Sequence, residues 1–221
     1  MLDNLYNGVV LHEGYPRNSI FFLRENGERM KKRLGYEGQQ LIMYMPTFRG
    51  KADQIEVEGF GTRIHQHLHE LDSRLSDEQT LLIKVHPFIQ NQIEISQYSH
   101  IKPIPENIDS YEVLNACDVL ITDYSSVMYD FAITKRKIIL FAYDYEEYIR
   151  ERGMYENITD YPFSMAETVD DIIRELGNDS GSVNKEFLMK YATYESRDAA
   201  EKICRQIFLE ENCCTLGKMN K

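Results

Sequence analysis

Between Asp118 and Asp130 the chain reads D-V-L-I-T-D-Y-S-S-V-M-Y-D. Val119 to Ile121 form a short apolar run that predicts a strand. Thr122 to Ser126 predict a polar turn, and the residues beyond it an amphipathic helix. A strand that runs through a tight polar turn into a helix start makes an anion site. The first helical turn has backbone N–H groups without helical partners, and its dipole favours negative charge. Ser125 and Ser126 at such a start can cap the helix and can also donate hydroxyls to a phosphate oxygen. This turn is where the phosphates of a ligand are expected.

Outward from this stretch, the pattern repeats. Leu41 to Met45 predicts a strand closed by Pro46, Thr47, Phe48 and Arg49. Ile64, Leu68, Leu71 and Leu75 recur at helical spacing, and Leu81 to Val85 predicts a second strand that stops at His86-Pro87. Residues 51–61 and 88–109 read as irregular, the second with Pro103 and Pro105 as breakers. Asp109 or Ser110 caps a short helix from Tyr111 to Cys117. Ile138 to Ala142 predicts another strand, and helices are expected near 167–177, 184–191 and 196–210. Upstream, Gly14 to Ser19 reads as a turn and 21–34 as helical. Strands alternating with helices at this spacing predict an α/β fold: a Rossmann-like parallel sheet with helices on both faces. Ligands of such sheets bind beyond the carboxyl ends of the strands. The polar groups closing each strand are therefore expected to converge: Thr47 and Arg49, His86, Thr122 to Ser126, and Tyr143 with Asp144. The organisation expected is a lead-in over 1–40, a nucleotide-donor-binding domain over 41–210 and a polar tail over 211–221.

Composition narrows the function. The 221 residues carry a formal charge of −11, which argues against broad binding to DNA, RNA or anionic lipid but allows a local basic pocket. No apolar run approaches the roughly 18 residues of a membrane span. The opening M-L-D-N-L-Y-N-G lacks the basic and apolar regions of a signal peptide. Cys117, Cys204, Cys213 and Cys214 have no zinc or disulfide spacing, which fits a reducing, cytosolic compartment, and Cys117 is expected to be a buried small side chain. His65 and His69 stand one helical turn apart, a spacing that can bind metal. With no third ligand in sight, a solvated helix face is the expected reading for His65, His67 and His69, and no metal or cofactor is expected.

Several segments resemble one family. They are G-Y-P-R-N at Gly14 to Asn18, M-P-T-F-R at Met45 to Arg49, K-V-H-P at Lys84 to Pro87 and L-I-T-D-Y-S-S-V-M-Y-D at Leu120 to Asp130. Y-D-Y-E-E-Y at Tyr143 to Tyr148 and E-R-G-M-Y at Glu151 to Tyr155 complete the set. The family is the CDP-glycerol glycerophosphotransferases of wall teichoic acid synthesis. The resemblance implies the C-terminal, donor-binding half of a GT-B glycosyltransferase-like architecture. It also implies transfer of glycerol phosphate from CDP-glycerol to a hydroxyl of a teichoic-acid-type or lipid-linked polyol phosphate acceptor. The expected location is the cytoplasm, peripheral at the inner membrane face. The acceptor-side histidine motif H-G-T is not found in this sequence, since His12 is followed by Glu13-Gly14, so the chain is expected to be incomplete as an enzyme on its own. The family's R-x-H-P stands here as Lys84 to Pro87; lysine keeps the charge but not the bidentate fork.

By this resemblance Ser125 and Ser126 would hold the diphosphate, and His86 would donate to a diphosphate oxygen and act as the acid that helps CMP leave. Arg49 and Arg152 are candidate phosphate clamps, Lys84 adds positive charge, and Thr47 orients its loop or donates to the ligand. Asp123 would repel a phosphate, so it fixes the turn through backbone hydrogen bonds or meets a ribose or glycerol hydroxyl. Glu146 and Glu147 read equally as ribose contacts or as a solvated helix start, and Tyr124 and Tyr143 are candidates to stack on cytosine. Two other readings stay open: the same fold with CDP-ribitol or a nucleotide sugar as donor, and a non-catalytic nucleotide- or phosphate-binding module.

Overall fold

The computed structural model describes residues 10–49, 57–86, 93–178, 183 and 185–210, with the side chains of 57–60 and 209–210 excepted. Six strands form one sheet: β1 (Gln40–Met45), β2 (Gln79–Ile83), β3 (Ile101–Pro103), β4 (Val119–Thr122), β5 (Lys137–Phe141) and β6 (Ser164–Ala166). Every pairing is parallel, and the spatial order is β3-β2-β1-β4-β5-β6. The chain moves outward from β1 in one direction through β2 and β3, then returns to the other side of β1 as β4. That reversal opens a crevice at the carboxyl ends of β1 and β4.

The strand period of two explains the layers. Leu41 and Met43 point to one face of the sheet with Leu82, Leu120, Ile138 and Leu140. Ile42 and Tyr44 point to the other with Leu81, Ile83, Ile121, Ile139 and Phe141. Because both faces are covered, the strands read as continuous apolar runs rather than as alternating ones. The first face is covered by a 3₁₀ turn (Pro16–Phe22), α1 (Arg24–Arg33), α3 (Ser110–Ala116), α4 (Val127–Ala132) and α7 (Lys185–Tyr191). The second is covered by α2 (Val57–Asp72) and α6 (Val169–Leu176). On α2, Ile64, Leu68 and Leu71 are fully buried, as their helical spacing requires. Two further α-helices lie among the described residues: α5 (Tyr145–Arg152), which follows β5, and α8 (Ala199–Arg205), which packs beside the 3₁₀ turn.

Local chemistry sets several boundaries. Asp109 caps α3 by accepting from the Tyr111 amide at 2.7 Å. Thr168 and Asp171 form a reciprocal capping box at the start of α6. Gly153 closes α5 at φ +67°, a left-handed conformation that suits glycine. β3 and β6 lie in segments without a strand signal; each is three residues long, too short to show a period. Pro103 ends β3 rather than excluding it, since an edge strand tolerates a missing N–H.

The expected boundary at residue 41 is not a packing boundary. Phe21 and Met30 lie in the core beside Val113, Leu114 and Phe131. The turn at Pro16 is tied down by Asp130, which accepts from Arg17 Nη2 at 3.0 Å, Asn18 Nδ2 at 2.8 Å and Tyr111 Oη at 2.6 Å. The G-Y-P-R-N segment and the last residue of the Asp118–Asp130 stretch therefore meet. Cys117 is buried as expected, and burial pushes its thiol pKa well up. Residues 1–9, 50–56 and 211–221, Pro87, Cys213 and Cys214 lie outside the described residues. Among the described residues no helix is long and apolar enough to cross a membrane.

Candidate active site at the β1/β4 crevice

The crevice is built by three loops that each follow a central strand. After β1 come Pro46 to Arg49; after β4, Asp123 to Ser126; after β5, Ala142 to Asp144. Thr122 anchors the first two, its fully buried hydroxyl donating to the Met45 carbonyl at 2.7 Å.

Asp123, only 2% exposed, accepts from the Thr47 amide at 2.9 Å, the Thr47 hydroxyl at 2.5 Å and the Tyr124 amide at 2.6 Å. It therefore fixes the turn, one of the two roles the sequence allowed it. Arg49 reaches across the same space. Its Nη2 donates to Asp123 Oδ2 at 2.8 Å and to Asp144 Oδ1 at 3.1 Å. Its Nε donates to Asp144 Oδ2 at 2.8 Å, and its Nη1 to the Thr47 carbonyl at 2.5 Å. The physical reason is charge: two carboxylates this deeply buried require a buried counter-charge. Burial works to lower the Arg49 pKa, but Asp144 and Asp123 outweigh it and the net shift is upward. For Asp144, burial raises the pKa while hydrogen bonds from Arg49 and Tyr124 outweigh it, so its net shift is downward. The fork expected to clamp a phosphate is thus occupied by protein acceptors.

Aromatic rings close the side of this cluster. Tyr124 stacks on Tyr148 of α5 at 3.8 Å between centroids and 20° between planes. The Arg49 guanidinium lies 4.8 Å from the Tyr124 ring centre and 5.1 Å from that of Tyr148. The Tyr124 hydroxyl donates to Asp144 Oδ1 at 3.0 Å. One face of the Tyr124 ring, a candidate to stack on cytosine, is therefore covered by Tyr148. Tyr143, the other candidate, packs edge-on against His67 at 4.6 Å.

The remaining expected residues lie on the same edge of the sheet. Ser125 is half-buried and Ser126 exposed, at the mouth of the turn. The Ser125 hydroxyl accepts weakly from the Val127 amide at 3.4 Å, and Ser126 makes no side-chain capping bond to α4. His86 and Lys84 follow β2; both are exposed. The His86 ring stacks on Phe48 at 4.9 Å, joining the β2 loop to the β1 loop, and Lys84 Nζ donates to Ser110 Oγ at 2.6 Å. Arg152 is exposed at the last turn of α5, its guanidinium 5.7 Å from the Tyr148 ring centre.

The histidines of α2 do not behave alike. His65 and His69 are exposed, but His65 Nδ1 is bonded to the Tyr98 hydroxyl at 2.7 Å. His67 is not on a solvated face. It flanks the apolar stripe of α2, wedged against Phe141 and Tyr143, and burial followed by the Arg63 charge lowers its pKa to about 4. Among the described residues no group of three or more side chains is arranged to hold a metal.

The sequence reading gives Tyr148 no role of its own, and it places Asp144 among the polar groups closing the strands without pairing it with Arg49. Asp144 is one of several acidic groups closing β5, and nothing local announces a partner 95 positions away. The nearest signal is its place in the polar stretch just beyond the apolar run Ile138 to Ala142.

The parallel sheet, its strand order and the polar crevice at the switch point define a Rossmann-like α/β domain, of the kind that forms one half of GT-B transferases. Residues 3–209 match the family model described as CDP-glycerol:poly(glycerophosphate) glycerophosphotransferase, and the chain belongs to that family. It is 35% identical over 172 residues to the teichoic acid poly(ribitol-phosphate) polymerase of Bacillus spizizenii, covering 74% of this chain and 27% of that protein. The teichoic acid glycerol-phosphate primase of Bacillus subtilis is 35% identical over 149 residues, covering 67% of this chain and 37% of that protein. Among solved structures, the wall teichoic acid polymerase TagF soaked with CDPG superposes with a TM-score of 0.72 at 26% identity. That match covers 94% of this chain and 52% of the TagF chain. The chain thus spans well under two thirds of the length of these relatives.

Proposed function

We propose that this chain is the donor-binding half of an enzyme that transfers glycerol phosphate from CDP-glycerol to a hydroxyl of a teichoic-acid-type polymer. The observation that carries the reading is the convergence of three separated segments, Met45 to Arg49, Leu120 to Asp130 and Tyr143 to Tyr148, on the crevice between β1 and β4. Ser125, Ser126 and the amides of their turn hold the diphosphate. Lys84 and Arg152 supply positive charge from either side, and Thr47 and Asp123 hold the loops in register. The acceptor hydroxyl gives up its proton to a base or to solvent, its oxygen forms a bond to the glycerol-bearing phosphorus as the bridging P–O bond breaks, and CMP leaves. His86 donates a hydrogen bond or proton to the departing phosphate. Such a transfer needs positioning and charge neutralisation more than covalent participation by protein. The acceptor is a polyol phosphate carried on lipid, met at the inner face of the membrane.

A second donor is supported by a specific observation: a relative at 35% identity is a poly(ribitol-phosphate) polymerase. CDP-ribitol is therefore the comparator of choice. Calorimetric titration of the chain with CDP-glycerol, CDP-ribitol, CDP and UDP separates the readings. CDP-glycerol is expected to bind best, and Ser125→Ala with Ser126→Ala to weaken it about tenfold or more through lost charge-assisted bonds. Preference for UDP, or unchanged affinity in the double variant with the fold intact, would overturn the assignment.

A further inference from the structure

The Arg49 cluster does more than neutralise two carboxylates. It joins a turn and a helix that have no covalent reason to stay at a fixed distance. On one side is the β4 turn, held by Asp123 and continuous with Ser125 and Ser126. On the other is α5, which starts after Asp144 and ends at Arg152. Between them stand the stacked rings of Tyr124 and Tyr148, 3.8 Å apart, with the Arg49 guanidinium against both. Arg152 follows Tyr148 by one helical turn and its guanidinium lies over the same ring at 5.7 Å.

We infer that Arg49, Asp144 and Tyr148 are positioning residues that lock the serine turn and the Arg152 end of α5 into one rigid unit. The spacing between hydroxyl donors and guanidinium is thereby set before a diphosphate arrives. The inference deepens the donor reading above and rests on it for the ligand. The geometry favours this over a direct role for Arg49, because Nε, Nη1 and Nη2 each already donate to protein oxygens. Preorganisation of this kind raises affinity by removing the cost of ordering two clamps separately. Aromatic stacking suits the task, since each ring has few torsions to freeze. Tyr148 is in addition the point where the two arginines share a ring, so its loss removes a contact that orients Arg152 while leaving the proposed ligand contacts in place.

A double-mutant cycle on this chain tests the coupling, with CDP-glycerol as the probe. In the wild type, Arg152→Met is expected to weaken binding about tenfold. In a Tyr148→Leu background, where Arg152 loses its ring contact and α5 its tie to the serine turn, the same change is expected to cost only about twofold. Equal costs in both backgrounds would overturn the inference, since a merely stabilising Tyr148 gives additive effects. A ligand-free readout covers failure of the donor reading itself, which would show as no binding by the wild type. Amide hydrogen exchange in Tyr148→Leu is then decisive. Joint loss of protection in 123–127 and 145–152 supports the rigid unit, and loss confined to 145–152 overturns it.

Discussion

Replacing Arg49 with methionine keeps most of the side-chain stem and deletes the charge. The structure supplies the magnitude. Asp123 and Asp144 are 2% and 8% exposed, and the Arg49 side chain is 16% exposed, so the group is a buried ion cluster rather than a surface pair. Removing one partner of a buried pair costs about 3–5 kcal/mol, because the carboxylates left behind are desolvated and repel each other. For a chain of this size each kcal/mol moves the melting temperature by about 2–4 °C, so a fall of about 6–20 °C is expected at pH 7. The pH dependence follows from the direction of the Asp144 shift. In the wild type the Asp144 carboxyl lies below its ordinary value. Its stabilisation is therefore present above the unfolded pKa and is lost as pH falls through the lower folded value. In the variant the Asp144 carboxyl lacks its counter-charge, which raises its folded pKa, so the penalty applies above the unfolded pKa and is relieved as pH falls. Urea unfolding of both proteins between pH 4.5 and 8 reads this directly. The difference in stability should be largest near neutrality and shrink toward pH 4.5. A difference below about 1 kcal/mol at pH 7, the value of an exposed pair, or one that stays constant with pH, would refute the reasoning.

Gly27→Ala on α1 should destabilise by about 1–3 kcal/mol in denaturant unfolding, because the added Cβ would stand 2.3 Å from the Asn115 carbonyl oxygen of α3. Helix propensity alone forecasts a gain of about 1 kcal/mol, so the sign of the change decides which effect wins. Thr168→Ala removes the capping box of α6 and should cost about 1 kcal/mol, with Thr168→Ser restoring most of it. The same truncation at Ser126, which makes no capping bond, should leave stability within about 0.5 kcal/mol.

Much of the fold is legible in the chain. The central strands β1, β2, β4 and β5 are largely apolar runs closed by polar residues, because a strand buried on both faces has no place for a polar side chain without a partner. The short turn after β4 and the apolar spacing of α2 are equally local, and the alternation of strands and helices determines a parallel sheet. The edge strands β3 and β6 are not legible, since three residues carry no period and their pairing is imposed by neighbours. Nor are the neighbours of His67: the apolar spacing sets the rotation of α2, but only the sheet brings Phe141 and Tyr143 against the edge of that stripe. The crevice divides in the same way. That polar groups gather at the strand ends follows from sequence, because each loop announces itself beside its own strand. Which groups pair there is decided only by the tertiary structure. Arg49 meets Asp123 and Asp144 across 74 and 95 positions because the sheet order brings β1, β4 and β5 side by side. The energy that selects this pairing, the cost of leaving a charge buried and alone, exists only once the chain has folded around it.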